Sequence, residues 1–87
     1  MKIKDGFILR NIADEHIVIP VGENAFDLNG IINLNEVAAF LWENMQTAIS
    51  EEDLVKKILE NYDVSEKNAK VDVEEFIKKI DEAGFLD

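Results

Sequence analysis

Few residues of this 87-residue chain carry side chains suited to covalent chemistry. His16 is the single histidine. It opens a strand-like run, where an imidazole is a surface or edge residue sooner than a general base, which needs a partner to position its proton. Ser50 and Ser65 each precede a helical pattern, where a hydroxyl caps the first turn, and no base stands by sequence to activate either one. The chain has no cysteine, which removes disulfides, thiolate metal sites and thiolate nucleophiles together. The runs Glu51-Glu52-Asp53 and Glu74-Glu75 fall in helices, where solvation accounts for them. Asp63-Val64-Ser65-Glu66-Lys67 offers some oxygens of a calcium loop, but it lacks the turn glycine and the alternation of ligands, and Lys67 intrudes. The four glycines stand singly, so there is no glycine-rich cradle for phosphate. These residues point away from an enzyme and toward a chain that holds no metal and no cofactor of its own.

The balance of charge narrows the partners. There are 19 acidic against 9 basic side chains, a net charge of −10. Affinity for nucleic acid comes mostly from lysine and arginine on phosphates, and this surface repels a polyanion unless its few cations gather on one face. The excess is uneven: residues 1–34 carry a net −2 and residues 35–87 a net −8. A solvated helical surface explains that as well as a preference for basic or neutral partners does, and composition does not separate the two. Residues 17–21 form an apolar run of only five, interrupted by Pro20, where a membrane helix needs about twenty. The N-terminus has no apolar stretch of the signal-peptide kind, so a cytoplasmic location is the default expectation.

The elements that must position any site follow from a change of period near residue 35. Phe7-Ile8-Leu9-Arg10-Asn11-Ile12 and His16-Ile17-Val18-Ile19-Pro20-Val21 read as two strands, with Ala13-Asp14-Glu15 as a link of hairpin length. Pro20 has no amide to donate and belongs at a strand end or an edge. Asn29-Gly30 is a strong turn signal, and Ile31-Ile32-Asn33-Leu34 is the last strand. The sheet has three strands, or four if residues 25–28 pair. Asn35 caps a first helix with Glu36 in its first turn. Val37, Phe40, Leu41 and Met45 share a face of that helix, and Trp42 on its flank is expected to pack at least partly buried. Ser50 opens a second helix with a Leu54, Val55, Ile58, Leu59, Tyr62 stripe. Ser65 opens a third with Ala69, Val73, Phe76, Ile77, Ile80 and Ala83 inward. Gly84 is its stop, and Phe85 and Leu86 fold back as an apolar latch. Val71 lies off the stripe, either as a lone exposed valine or as a partner contact. A sheet followed by helices in one short chain is the α+β class, and residues 1–87 form a single domain.

Several segments in this order resemble the PqqD-like family, named for the small protein D of pyrroloquinoline quinone biosynthesis. Residues 17–22, Ile-Val-Ile-Pro-Val-Gly, look like the family's second strand. Asn29-Gly30-Ile31-Ile32-Asn33-Leu34-Asn35-Glu36 looks like its approach to the first helix, and Ala39-Phe40-Leu41-Trp42-Glu43 is similar to its small-x-Leu-Trp-Glu segment. Asp72-Val73-Glu74-Glu75-Phe76-Ile77 and Ala83-Gly84-Phe85-Leu86 match its last helix and its ending. The resemblance implies a small winged helix-turn-helix-like domain that binds peptide instead of DNA. It implies that the leader segment of a ribosomally made precursor peptide adds as a strand at the sheet edge, in a groove between the third strand and the third helix. Carried onto this chain, the edge is Ile31, Ile32, Asn33 and Leu34, and the wall is drawn from Lys70, Val73, Glu74, Ile77, Lys78 and Asp81. Val73 and Ile77 have a second reading, as core residues against the sheet. The implied second partner is a modifying enzyme, often a radical S-adenosylmethionine enzyme, whose cluster and cofactor this chain has no ligands to hold. The chain reads as free-standing, and which peptide and pathway it serves stays open.

Two other classes fit the architecture. A winged-helix DNA-binding domain would use a helix in the major groove, but the second helix sets only Lys56 and Lys57 against Glu51, Glu52, Asp53 and Glu60. A homodimer could form if the open strand edge paired with its own copy. The lack of a ligand cluster generates a direct expectation: thermal unfolding curves recorded with and without a strong chelator should superimpose. A large downward shift in the chelator would reveal a structural metal.

Overall fold

A computed structural model describes residues 1–22 and 32–87. The described strands are β1 (Phe7–Ile12), β2 (Glu15–Pro20) and β3 (Ile32–Leu34), followed by helices α1 (Glu36–Asn44), α2 (Glu51–Asn61) and α3 (Glu66–Glu82). The strands form one antiparallel sheet in the order β1-β2-β3, so the α+β class expected from the change of period is the class observed. The Asn29-Gly30 turn and the fourth strand weighed at residues 25–28 lie outside the described residues.

Alternation sets the faces of the sheet. Leu9 pairs with Val18 and Val18 with Ile32, so these three lie side by side across all three strands and face the helices. Phe7, Val18 and Leu34 are buried there, and Leu9 and Ile32 pack against the same core. The β1–β2 connection is tighter than the three-residue link expected. Ile12 pairs with Glu15, leaving Ala13 and Asp14 as the whole loop, both at positive φ (50° and 68°). Two-residue hairpins use this mirror-image turn because it matches the strand twist. Aspartate tolerates the left-handed region; alanine does so at a steric cost.

Each helix begins on the cap read from the sequence. Asn35 Oδ1 accepts from the Ala38 amide at 2.8 Å, and the Ser50 and Ser65 hydroxyls accept from the Asp53 and Asn68 amides at 3.1 Å. The end of α3 is a Schellman motif: the Phe85 amide donates to the Ile80 carbonyl at 2.9 Å and the Gly84 amide to Asp81 at 3.0 Å, with Gly84 at φ 82°, the left-handed position that glycine fills without a side-chain clash.

The buried arc of α1 differs from the stripe expected. Ala39, Leu41, Trp42 and the cap residue Met45 are buried, while Val37 and Phe40 are half-buried. The helix is rotated toward Trp42, which is 1% exposed and meets Phe85 edge to face at 5.5 Å; Phe40 is left on the flank against Tyr62 at 5.3 Å. On α3 the inward residues are Ala69, Val73, Phe76 and Ile80, with Ile77 half-buried and Ala83 exposed.

The first six residues, given no element by the sequence pattern, stitch the two ends together. Ile3 bridges Leu86, the Ile3 amide donates to Met45 at 2.8 Å, Lys4 to Phe85 at 2.8 Å and Asp87 to Lys2 at 2.9 Å. Two expectations follow. Ala13→Gly relieves the left-handed alanine and should raise stability by about 0.5–1 kcal/mol after its greater unfolded-state entropy is counted, read as a higher urea midpoint. Trp42→Ala should cost about 3–5 kcal/mol in the same measurement, because it empties the centre of the core.

Candidate functional site

Among the described residues, the third strand has a hydrogen-bonded neighbour on one side only. It pairs with β2 through His16–Leu34, Ile17–Asn33 and Val18–Ile32, and no described strand flanks its other edge. An edge of this kind leaves backbone donors and acceptors to be met by water or by another extended chain. Leu34 is buried and Ile32 half-buried, which fixes the register of β3 against the core, while Asn33 is exposed. The strand is anchored from within, and no described strand covers it from without.

Two clefts meet where β3 ends. One lies between the start of α1 and one flank of α3 and has a volume of about 240 Å³. Asn35, Val37, Ala38 and Leu41 form its first wall. Asp72, Glu75, Phe76 and Lys79 form the second. The other cleft runs from the hairpin turn across the end of β3, along Asp14, Glu15 and His16 to Asn33, Leu34 and Glu36. Asn35 lines both, so the two clefts adjoin at this residue past the end of the strand, and the pair makes up the trough. Its position is fixed because its side chain caps α1. His16 Nδ1–H donates to Asn11 Oδ1, which holds the imidazole along β1 and away from any nucleophile.

The trough is acidic. Asp14, Glu15, Glu36, Asp72 and Glu75 line it, against Lys79 and His16. Among the described residues the ion pair found is Lys70–Glu66 at 3.4 Å, an exposed pair on the other side of α3, so no partner cation within 4 Å neutralises these carboxylates there. The field is felt nearby: the Tyr62 phenol is pushed above its ordinary value, first by burial and then by Glu36 and Glu43. No group of three histidine, cysteine or acidic side chains among the described residues is placed to hold a metal ion. No helix among them is long and apolar enough to cross a membrane.

The residues expected at the site fall into three groups. Ile32, Asn33 and Leu34 lie on the open edge, and Ile31 is outside the described residues. Val73 is 0% exposed in the core between α3 and its neighbours, so the reading of it as a peptide-facing wall gives way to its alternative: it cannot meet a ligand unless the core opens. Ile77 is half-buried against that core. Lys70 and Glu74 line a groove with Glu51, Val55 and Leu59 of α2, on the flank of α3 turned away from the β3 trough, while Lys78 and Asp81 are exposed. The flank that reaches the trough is Asp72, Glu75 and Lys79, at positions −4, −1 and +3 from Phe76. The sequence reading named none of these three as wall residues. A helical stripe has two sides, and which one meets the sheet depends on where α2 packs. Val71 is 42% exposed and lines neither part of the trough.

Comparison with known proteins bears on this geometry. The family model described as coenzyme PQQ synthesis protein D (PqqD) matches residues 15–86. Among curated proteins no significant match is found. Among solved structures, the fold is similar to TbiB1 in complex with the TbiA(beta) leader peptide, with a TM-score of 0.76 and 22% identity over 100% of this chain and 95% of that one. It is similar also to lasso peptide synthetase B1 complexed with the leader peptide, with a TM-score of 0.73 and 15% identity over 97% of this chain and 93% of the other. With the family model spanning both open-edge strand and all three helices, the chain belongs to the PqqD family.

Proposed function

We propose that this chain is a non-catalytic peptide-binding module that captures the leader segment of a ribosomally made precursor peptide and presents it to a modifying enzyme. The observation that carries the reading is the edge of β3 that no described strand covers, which opens onto the trough at Asn35. An extended peptide laid along that edge gains main-chain hydrogen bonds, which are tolerant of sequence, and its alternate side chains reach the clefts, which are not. Two proteins of similar fold have been solved with leader peptides bound, which supports extending this role to a family member. The chemistry of modification belongs to the partner enzyme, for which a radical S-adenosylmethionine enzyme is one class, and both act in the cytoplasm. Pairing of two copies through β3 would compete for the same edge, so peptide and homodimer exclude one another there.

Titration with its cognate precursor peptide, followed by NMR, should move the amides of residues 32–34 together with those of Asp72, Glu75 and Lys79. Affinity near micromolar, roughly −8 kcal/mol, suits a short segment that becomes ordered on binding. Shifts confined to α2, or to the opposite sheet edge at residues 7–12, would defeat strand addition at β3. Charge reversal locates the wall. Lys78→Glu and Lys79→Glu both alter exposed residues and should leave the unfolding midpoint unchanged. A changed affinity from the Lys79 variant alone, tighter for a basic segment and weaker for an acidic one, would assign the wall to the trough flank, and a change from the Lys78 variant alone to the flank that carries Asp81.

A further inference from the structure

We infer that the segment this chain captures is basic where it passes the end of β3, with a lysine or arginine set next to an apolar residue; the inference rests on the peptide-capture reading above. Three separate elements converge on that point and each brings negative charge. The hairpin turn and start of β2 supply Asp14 and Glu15, the first turn of α1 supplies Glu36, and the trough flank of α3 supplies Asp72 and Glu75. Lys79 is the cation at the far end of the same cleft, and His16 is already committed to Asn11. The accessible apolar lining belongs to the α1–α3 cleft, beside Asp72 and Glu75: Val37 and Ala38 are half-buried, backed by the buried Leu41 and Phe76. The trough therefore offers a small apolar patch at Val37 and Ala38 beside Asp72 and Glu75, with Asp14, Glu15 and Glu36 in the adjoining cleft, carboxylates that no cation within 4 Å answers among the described residues.

Other occupants fit less well. A second copy of this chain carries a net charge of −10 and would bring like charge to an acidic rim, which is costly across an interface. An acidic or phosphorylated segment is repelled for the same reason. A basic segment gains twice, because the summed field steers its approach and the rim then pairs with it at close range. Such attraction is screened by salt, since the Debye length falls from about 10 Å at 0.1 M to about 3 Å at 1 M.

The test is to pan a random library of displayed 15-residue peptides against the full-length chain in 50 mM NaCl, and to map the recovered peptides by NMR. The peptides that move the amides of residues 32–34 should carry an excess of lysine and arginine and lose about tenfold in affinity between 50 and 300 mM NaCl. The double variant Asp72→Asn, Glu75→Gln should lower their affinity by about tenfold with an unchanged melting temperature. A control pair remote from the trough, Glu60→Gln with Asp63→Asn, should not, which separates a local effect from the net charge of the chain. Peptides that move residues 32–34 but are neutral or acidic, or whose affinity ignores both salt and the double variant, would overturn the charge inference and leave peptide capture standing. An empty panning, or binders that leave residues 32–34 unmoved, would overturn peptide capture and this inference with it.

Discussion

The ring of Phe85 holds the two ends of the chain to one core. It meets Phe7 at the start of β1 edge to face, with centroids 4.7 Å apart, and Trp42 of α1 in the same manner at 5.5 Å. Edge-to-face pairs contribute about 0.5–1.5 kcal/mol each beyond the area they bury, but the larger consequence is geometric. The Schellman turn at Gly84 delivers Phe85 to this spot, and the Lys4 amide then donates to its carbonyl. Sheet, first helix and the end of the last helix are thereby fixed relative to one another. The trough beside β3 exists only because α3 is held at that angle, since one of its walls belongs to α1 and the other to α3.

In a domain this small, stability and binding draw on neighbouring faces of the same elements. Phe76 closes the core and lines the cleft; Leu34 anchors β3 inward while no described strand pairs with the outer edge of that strand. The division is by side-chain direction, which alternates along a strand and turns by about 100° per residue in a helix. Asn35 serves both sides at once. Its side chain terminates the backbone of α1, and its position joins the two clefts into one trough.

The strong negative charge has a local meaning that a net value hides. Five carboxylates from three elements line the trough, whereas Lys70 is engaged by Glu66 on the other flank of α3. Charge spread evenly over helices chiefly keeps a protein soluble. Charge gathered around an open strand edge also limits which extended segments can approach it, including another copy of the same acidic chain. An unpaired edge is a standing invitation to self-association, and an acidic surround is one way to decline it while leaving room for a basic guest.

Much of the local structure was legible in the sequence, because caps, turns and period act over a few residues. Asn35, Ser50 and Ser65 open the three helices where their side chains can reach an amide three residues on, and Gly84 stops the last one. The first hairpin, the at least partial burial of Trp42 and the return of Phe85 as an apolar latch followed from one short connection and the apolar pattern. The resemblance to the PqqD family rested on that same order of segments. What the sequence left open were the choices that depend on how elements pack. A helix stripe does not say which of its flanks faces the sheet, so the sequence reading drew its wall from Lys70 and Glu74, which pack beside α2, and did not name Asp72, Glu75 and Lys79. Val73 is apolar by type, but only the closed core makes it inaccessible. The rotation of α1 toward Trp42 was decided by Phe85, 43 residues further along the chain, and the pairing of Ile3 with Leu86 by the meeting of the two ends. Local chemistry determined the elements, and long-range packing decided which of their faces remain for a ligand.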